Sequence, residues 1–139
     1  MSTSDWQIGL TPAESDDALE REWSALQATT DAPVFLRWLW MGSWLEHAGP
    51  HTLIARMRRE GRLLGLACLG VRGKELFLNQ SGVQALDQIW IEYNSVLTVD
   101  AEKTSILIAL VQHVLSLPRF GQIHLSMLED QVADGLLQA

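Results

Sequence analysis

The sequence predicts an α/β (α+β) fold, with a central, mostly antiparallel sheet of about five to six strands flanked by three helices. Three observations favour this class: strand-like alternation in the middle of the chain, helical periodicity on both sides of it, and turn-forming residues at the boundaries. The 139 residues, 47 % hydrophobic and 19 % charged, suffice for one domain with a real core. We therefore predict a single domain over residues 1–139, and assign no structure to the tail at 129–139.

The first elements are a short strand at 6–10 and an amphipathic helix that reaches to about residue 29. Thr11 is a candidate N-cap of this helix, Pro12 suits the first helical position, and Glu14 lies three residues after the cap. The apolar residues of the segment recur at helical spacing and are predicted to face the core: Leu19, Trp23 and Leu26.

A second helix is predicted over 34–47, opened by Pro33 and ended by Gly49 and Pro50. Its apolar residues fall on two sides: Phe35, Trp38, Leu39 and Leu45 share one, and Leu36, Trp40 and Trp44 share the other. A helix that is apolar most of the way round is buried on more than one side or lacks a partner. Core packing is the plain interpretation. The alternative is a partner interface at Leu36, Trp40 and Trp44, for which a second copy of the chain is the simplest partner.

The rest of the chain alternates between strand and helix patterns. A continuous apolar run that contains Cys68 indicates a central strand covered on both faces, and Cys68 is interpreted as a buried, unreactive side chain. The patterns predict strands at 52–58, 63–69, 75–79 and 88–93, a helix at 101–117 capped by Asp100, and a last strand at 122–128.

Composition and charge exclude several classes of function. The net charge of −7 opposes binding to nucleic-acid phosphates, and no apolar run is long enough to cross a membrane. With one cysteine the chain can form no internal disulfide, and residues 1–10 do not resemble a signal peptide, so we expect a cytoplasmic protein. His47 and His51 have the spacing of helical metal ligands, but Gly49 and Pro50 separate them, so no metal site is predicted.

Three segments together resemble a known family. Residues 32–36 lead into Trp38, Trp40 and Trp44, residues 53–66 form a hairpin around Glu60 and Gly61, and residues 91–97 precede a helix. Over about residues 5–128 the chain resembles the N-terminal half of a GNAT-superfamily acyltransferase, in the bacterial family named after the cellulose-biosynthesis protein CelD, also called BioF2-like acetyltransferases. The resemblance implies a partial GNAT-like fold.

The resemblance also implies an acyl-CoA-dependent transfer to an amine. Proteins of this family carry two GNAT-like halves and bind acyl-CoA mainly with the second, so this chain is expected to act as a scaffold and interface for a second half or a second copy. Two alternatives stay open: a dimeric small acetyltransferase with an acyl-CoA site at the interface, and a non-enzymatic α/β interaction module.

The candidate sites follow from the resemblance and from the residues. The superfamily holds the CoA pyrophosphate at the start of the helix after the fourth strand, where this chain has no glycine and has Asp100 and Glu102 instead. We therefore expect this half to bind no acetyl-CoA or other acyl-CoA by itself.

Two polar groups are the remaining candidates. Glu92 and Tyr93 could act as general base and general acid, or could simply end a strand in a polar turn. Arg56 and Arg58 could contact an anion such as a CoA phosphate, or could belong to the solvated side of a hairpin.

Overall fold

The computed structural model describes residues 5–13, 17–48, 51–83, 87, 94–126, 128 and 133–134. Within these residues the chain has an α+β fold with a five-stranded sheet and three α-helices, which confirms the predicted fold class. The strands are β1 (Gln7–Pro12), β2 (Thr52–Arg59), β3 (Arg62–Arg72), β4 (Glu75–Leu78) and β5 (Gln122–His124). The helices are α1 (Asp17–Gln27), α2 (Trp38–Ala48) and α3 (Lys103–Ser116).

The sheet has the order β1-β2-β3-β4-β5, so strands that follow one another in the chain are also neighbours in space. All its pairs are antiparallel except β4 with β5, which is parallel. The β2–β3 hairpin turns at Glu60 and Gly61, whose φ angles are 53° and 78°. A left-handed conformation costs glycine little, so the turn predicted from Gly61 forms where the sequence indicates it.

Helices cover both faces of the sheet. Along β3 the side chains alternate: Ala67 and Leu69 face the cluster under α3, whereas Leu66 and Cys68 face the cluster under α1 and α2. Both clusters are formed by side chains removed almost completely from water. This burial on both faces explains why β3 is the most continuously apolar segment of the chain.

The first predicted helix begins later than expected. Thr11 and Pro12 belong to β1, and α1 begins at Asp17, so the prediction that Thr11 caps this helix is wrong. β1 lies at the edge of the sheet, where a proline without an N–H group removes no essential ladder bond. Thr11 Oγ1 instead accepts a hydrogen bond of 2.8 Å from Arg56.

The second predicted helix is divided into two pieces. A 3-10 turn at Val34–Leu36 is separated from α2 by Arg37, whose φ of −83° and ψ of 152° are extended. Two tertiary hydrogen bonds stabilise this break: Arg37 Nε donates to Ala32 O at 2.9 Å, and the Trp38 N–H donates to Gln27 Oε1 at 2.7 Å. The side chain of Gln27 thus satisfies a backbone donor at the start of α2.

Smaller differences concern the C-terminal part. α3 begins at Lys103, after a 3-10 turn at Asp100–Glu102, rather than at residue 101. β5 ends at His124, and Leu128 then forms an isolated parallel bridge with Asn94. The strand predicted at 88–93 lies outside the described residues.

Candidate functional site

The most exposed large apolar side chain in the described part of the protein lies on α2. Leu39 is 85 % exposed, whereas most apolar side chains of the helix are at least half buried. It borders a groove of about 380 Å³ between α1 and α2, which we call the α2 groove. The groove is lined by Asp17 and Glu20 of α1 and by Trp38, Leu39, Gly42, Ser43 and Glu46 of α2.

A close contact between Trp38 and Gly42 shapes the α2 groove. A Cβ atom on Gly42 would lie 2.8 Å from Cε2 of the Trp38 indole, so the ring can lie against the helix only because residue 42 has no side chain. The Trp38 ring also packs at a tilt on the buried Trp23 ring, with 6.1 Å between centroids. Trp38 therefore joins the groove to the core.

The interface residues predicted from the sequence lie in different environments. The prediction for Leu36 is wrong, because its side chain is 1 % exposed and packs in the core under α1 and α2. Trp40 and Trp44 are half buried against the same core, and Trp40 packs edge-to-face on Phe35 with 4.9 Å between centroids. Their role in a partner interface stays a prediction.

The predicted anion contact at Arg56 is occupied by the protein itself. Arg56 donates to both carboxylate oxygens of Glu22, with an Nη2 to Oε1 distance of 2.8 Å, and also to Thr11. Arg58 is more exposed and lies 3.9 Å from the same carboxylate. Glu22 already neutralises Arg56, so that guanidinium belongs to a contact between α1 and β2. The contact of Arg56 and Arg58 with an external anion stays a prediction.

The start of α3 is also filled by an internal ion pair. Both oxygens of Glu102 accept hydrogen bonds from Arg59, at 3.1 and 3.3 Å, and Ser105 Oγ donates to the same carboxylate. The hydrogen bond from Arg59 lowers the pKa of Glu102 below its ordinary value. Arg59 also stacks over the Trp6 ring at 4.0 Å. A phosphate at this helix end would have to compete with an ionised, hydrogen-bonded carboxylate.

A buried polar network that the sequence did not predict lies where β4 ends. Asn79 Oδ1 accepts from the Cys68 N–H at 2.9 Å, and its Nδ2 donates to Asn94 Oδ1 and to Ser95 O, each at 2.8 Å. Asn94 Nδ2 donates in turn to Leu78 O and Ser126 O. Both asparagines are 0 % exposed, so the network fixes residues 94–95 against the sheet.

Of the other residues singled out in the sequence, Cys68 is described by the structure, and Glu92 and Tyr93 are not. Glu92 and Tyr93 lie outside the described residues, so their catalytic role stays a prediction. Cys68 is fully buried, and this burial raises the pKa of its thiol, as expected for an unreactive core side chain.

No group of three His, Cys, Asp or Glu residues in the described ranges is placed to hold a metal ion. No described helix is both long and apolar enough to cross a membrane.

Comparison with known proteins returned no match: no family model and no curated protein match the sequence, and no solved structure matches the chain.

Proposed function

We propose that this chain is the scaffold and interface half of an acyl-CoA-dependent N-acyltransferase, and that it binds a second GNAT-like half or a second copy of itself. The observation that carries the proposal is the exposure of Leu39 on α2. Its apolar side chain is 85 % exposed, although it lies next to a core whose own side chains are buried. Leu39 lies on the same helix as the partly buried Trp40 and Trp44, and large aromatic side chains are enriched at protein interfaces.

The order of elements supports the acyltransferase part of the proposal. The described chain runs β1-α1-α2-β2-β3-β4-α3-β5, and this agrees with the order that the resemblance implies except for the strand predicted at 88–93, which lies outside the described residues. The assignment rests on element order and on the resembling segments, since a fold alone does not determine an activity.

The start of α3 supports the scaffold part of the proposal. The carboxylate of Glu102 takes hydrogen bonds from Arg59 and Ser105 at the helix end where the superfamily binds pyrophosphate. Removing this carboxylate from its partners to admit a phosphate would cost these three hydrogen bonds and bring like charges together. We therefore propose that acyl-CoA is held by the partner. We also propose a cytoplasmic location, which agrees with the single, buried thiol of Cys68.

Sedimentation velocity with and without acetyl-CoA separates this proposal from its alternatives. We expect acetyl-CoA to leave the sedimentation coefficient unchanged. A dimer that forms only with acetyl-CoA would replace the proposal by the small dimeric acetyltransferase. Self-association without acetyl-CoA, if Leu39→Asp abolishes it, would identify a second copy as the partner. The exposed Glu60→Gln variant at the β2–β3 turn is the matched control, because it lies outside the α2 groove.

A further inference from the structure

We propose that the α2 groove binds a basic, apolar segment of a partner protein, with an arginine or lysine among the carboxylates of Asp17, Glu20 and Glu46 and an apolar side chain against Leu39. The inference rests on the proposed function, because it names the chemistry of the partner that the interface would bind. It is argued from the shape of the groove, from its charge, and from the arrangement of residues along α2.

The arrangement along α2 gives the groove one continuous wall. Leu39, Gly42, Ser43 and Glu46 follow one another at steps of three, one and three residues, so they line a single side of the helix. Leu39, Ser43 and Glu46 are exposed, whereas Gly42 is buried under the Trp38 ring. This wall is therefore open to a partner along about two turns of helix.

The charge of the groove is negative on both sides. Asp17 and Glu20 belong to α1, Glu46 belongs to α2, and all three carboxylates are exposed. Among the described residues none of the three has an ion-pair partner, in contrast to Glu22 and Glu102, which are paired with arginines. Asp17 and Glu20 both lie in the first turn of α1.

The combination of carboxylates with an aromatic ring selects the occupant. A guanidinium or ammonium group is attracted by the three carboxylates, and the apolar stem of an arginine or lysine can pack beside the exposed part of Trp38. An apolar side chain next to that cation would cover Leu39, which otherwise stays in contact with water. A second copy of the chain fits less well, because each copy carries a net charge of −7.

The test uses synthetic peptide probes and calorimetry on the whole chain. The probe is an amidated helical peptide of about a dozen residues, with leucines on one face and arginines beside them. One control peptide replaces the arginines by glutamates, and a second replaces the leucines by serines. We expect the basic peptide to bind with a Kd of about 10–100 μM, and both control peptides to bind at least about tenfold more weakly.

Variants then locate the binding site. Leu39→Ser and the double variant Glu20→Gln/Glu46→Gln should each weaken the basic peptide by about tenfold, since they remove the apolar contact and the charge respectively. The double variant should also reduce the salt dependence between about 50 and 300 mM KCl. Glu60→Gln should leave the Kd within about twofold of wild type. Thermal unfolding of each variant checks that the fold is retained.

Any of three peptide-binding results would overturn the inference. The basic and acidic peptides could bind equally well, the basic peptide could fail to bind at about 1 mM, or both α2-groove variants could bind the basic peptide with the wild-type Kd. Self-association that Leu39→Ser abolishes would also overturn it, since the occupant would then be a second copy. That last result would leave the proposed function in place, whereas tight binding of acetyl-CoA would contradict the proposed function without bearing on the groove.

Discussion

Replacement of Asn79 by alanine should destabilise the protein strongly, although the residue lies in a turn. The Asn79 side chain is 0 % exposed and makes three hydrogen bonds, to the Cys68 N–H, to Asn94 Oδ1 and to Ser95 O. Its backbone has a φ of 53°, which asparagine tolerates better than alanine does. The substitution therefore removes a hydrogen-bonding hub and strains the backbone at the same time.

The size of the effect can be derived from these contacts. A buried N–H donor left without a partner costs about 1–3 kcal/mol, which applies to Cys68. The two acceptors lose about 1 kcal/mol each, and the left-handed backbone adds about 1–2 kcal/mol for alanine. We expect Asn79→Ala to lower the free energy of unfolding by about 4–7 kcal/mol, a large share of the total of about 5–15 kcal/mol for a domain.

Urea unfolding followed by tryptophan fluorescence measures this loss. Asn79→Gly is the matched control, because it removes the same hydrogen bonds and accepts the positive φ. It should be less destabilising than Asn79→Ala by about 1 kcal/mol. A loss below about 1 kcal/mol for Asn79→Ala, with an unchanged dependence on urea, would refute the argument that this network holds residues 94–95 on the sheet.

Three further predictions concern single residues. The pKa of Glu102 is lowered in the folded state, mainly by the hydrogen bond from Arg59, so ionised Glu102 stabilises the fold above pH 4.5, its ordinary pKa, and this stabilisation is lost as the pH falls through the lowered pKa. In Glu102→Gln the free energy of unfolding should therefore depend less steeply on pH below 4.5, and an unchanged slope would contradict this. Gly42→Ala should displace the Trp38 indole, lower stability by about 1–2 kcal/mol and change the tryptophan emission, whereas Gly9→Ala, which meets no atom within 4 Å, should leave the emission unaltered. The buried Cys68 thiol should react with a disulfide reagent such as DTNB only in denaturant; rapid labelling of the native protein would show that β3 opens.

The strongly patterned elements could be predicted from the sequence. The β2–β3 hairpin follows from alternation on both sides of Gly61, and α3 follows from apolar residues at helical spacing. These patterns reflect local geometry and the burial of one face, which a sequence shows directly. The fold class followed from the same patterns.

The elements that depend on tertiary contacts could not be predicted in detail. Pro12 is typical of a helix start, yet it ends an edge strand because β1 has a neighbour on one side only. The break at Arg37 depends on the side chain of Gln27 in another helix. A single sequence does not show which distant residues will satisfy such backbone groups.

The sequence pointed to the aromatic second helix as the candidate site, and a role for that helix in an interface stays a prediction. Its aromatic residues pointed to Leu36, Trp40 and Trp44, whereas the most exposed large apolar residue in the described part of the chain is Leu39. The reason is that Leu36 packs in the core and Trp38 packs on Trp23, whereas Leu39, on the same predicted side as Trp38, stays exposed. The charge of the groove could not be predicted from the sequence, because Asp17, Glu20 and Glu46 meet there only once α1 and α2 pack together.

Calorimetric titration of acetyl-CoA into the purified chain tests the central claim most directly. The claim is that these residues supply scaffold and interface, with Glu102 and Arg59 paired at the helix end where pyrophosphate would bind. We expect the titration to show no saturable binding of acetyl-CoA up to about 1 mM, either by the wild-type chain or by Glu102→Gln. The variant should not bind it because removal of one carboxylate does not create a phosphate site. Saturable binding of acetyl-CoA by the wild-type chain at micromolar concentration would contradict the claim.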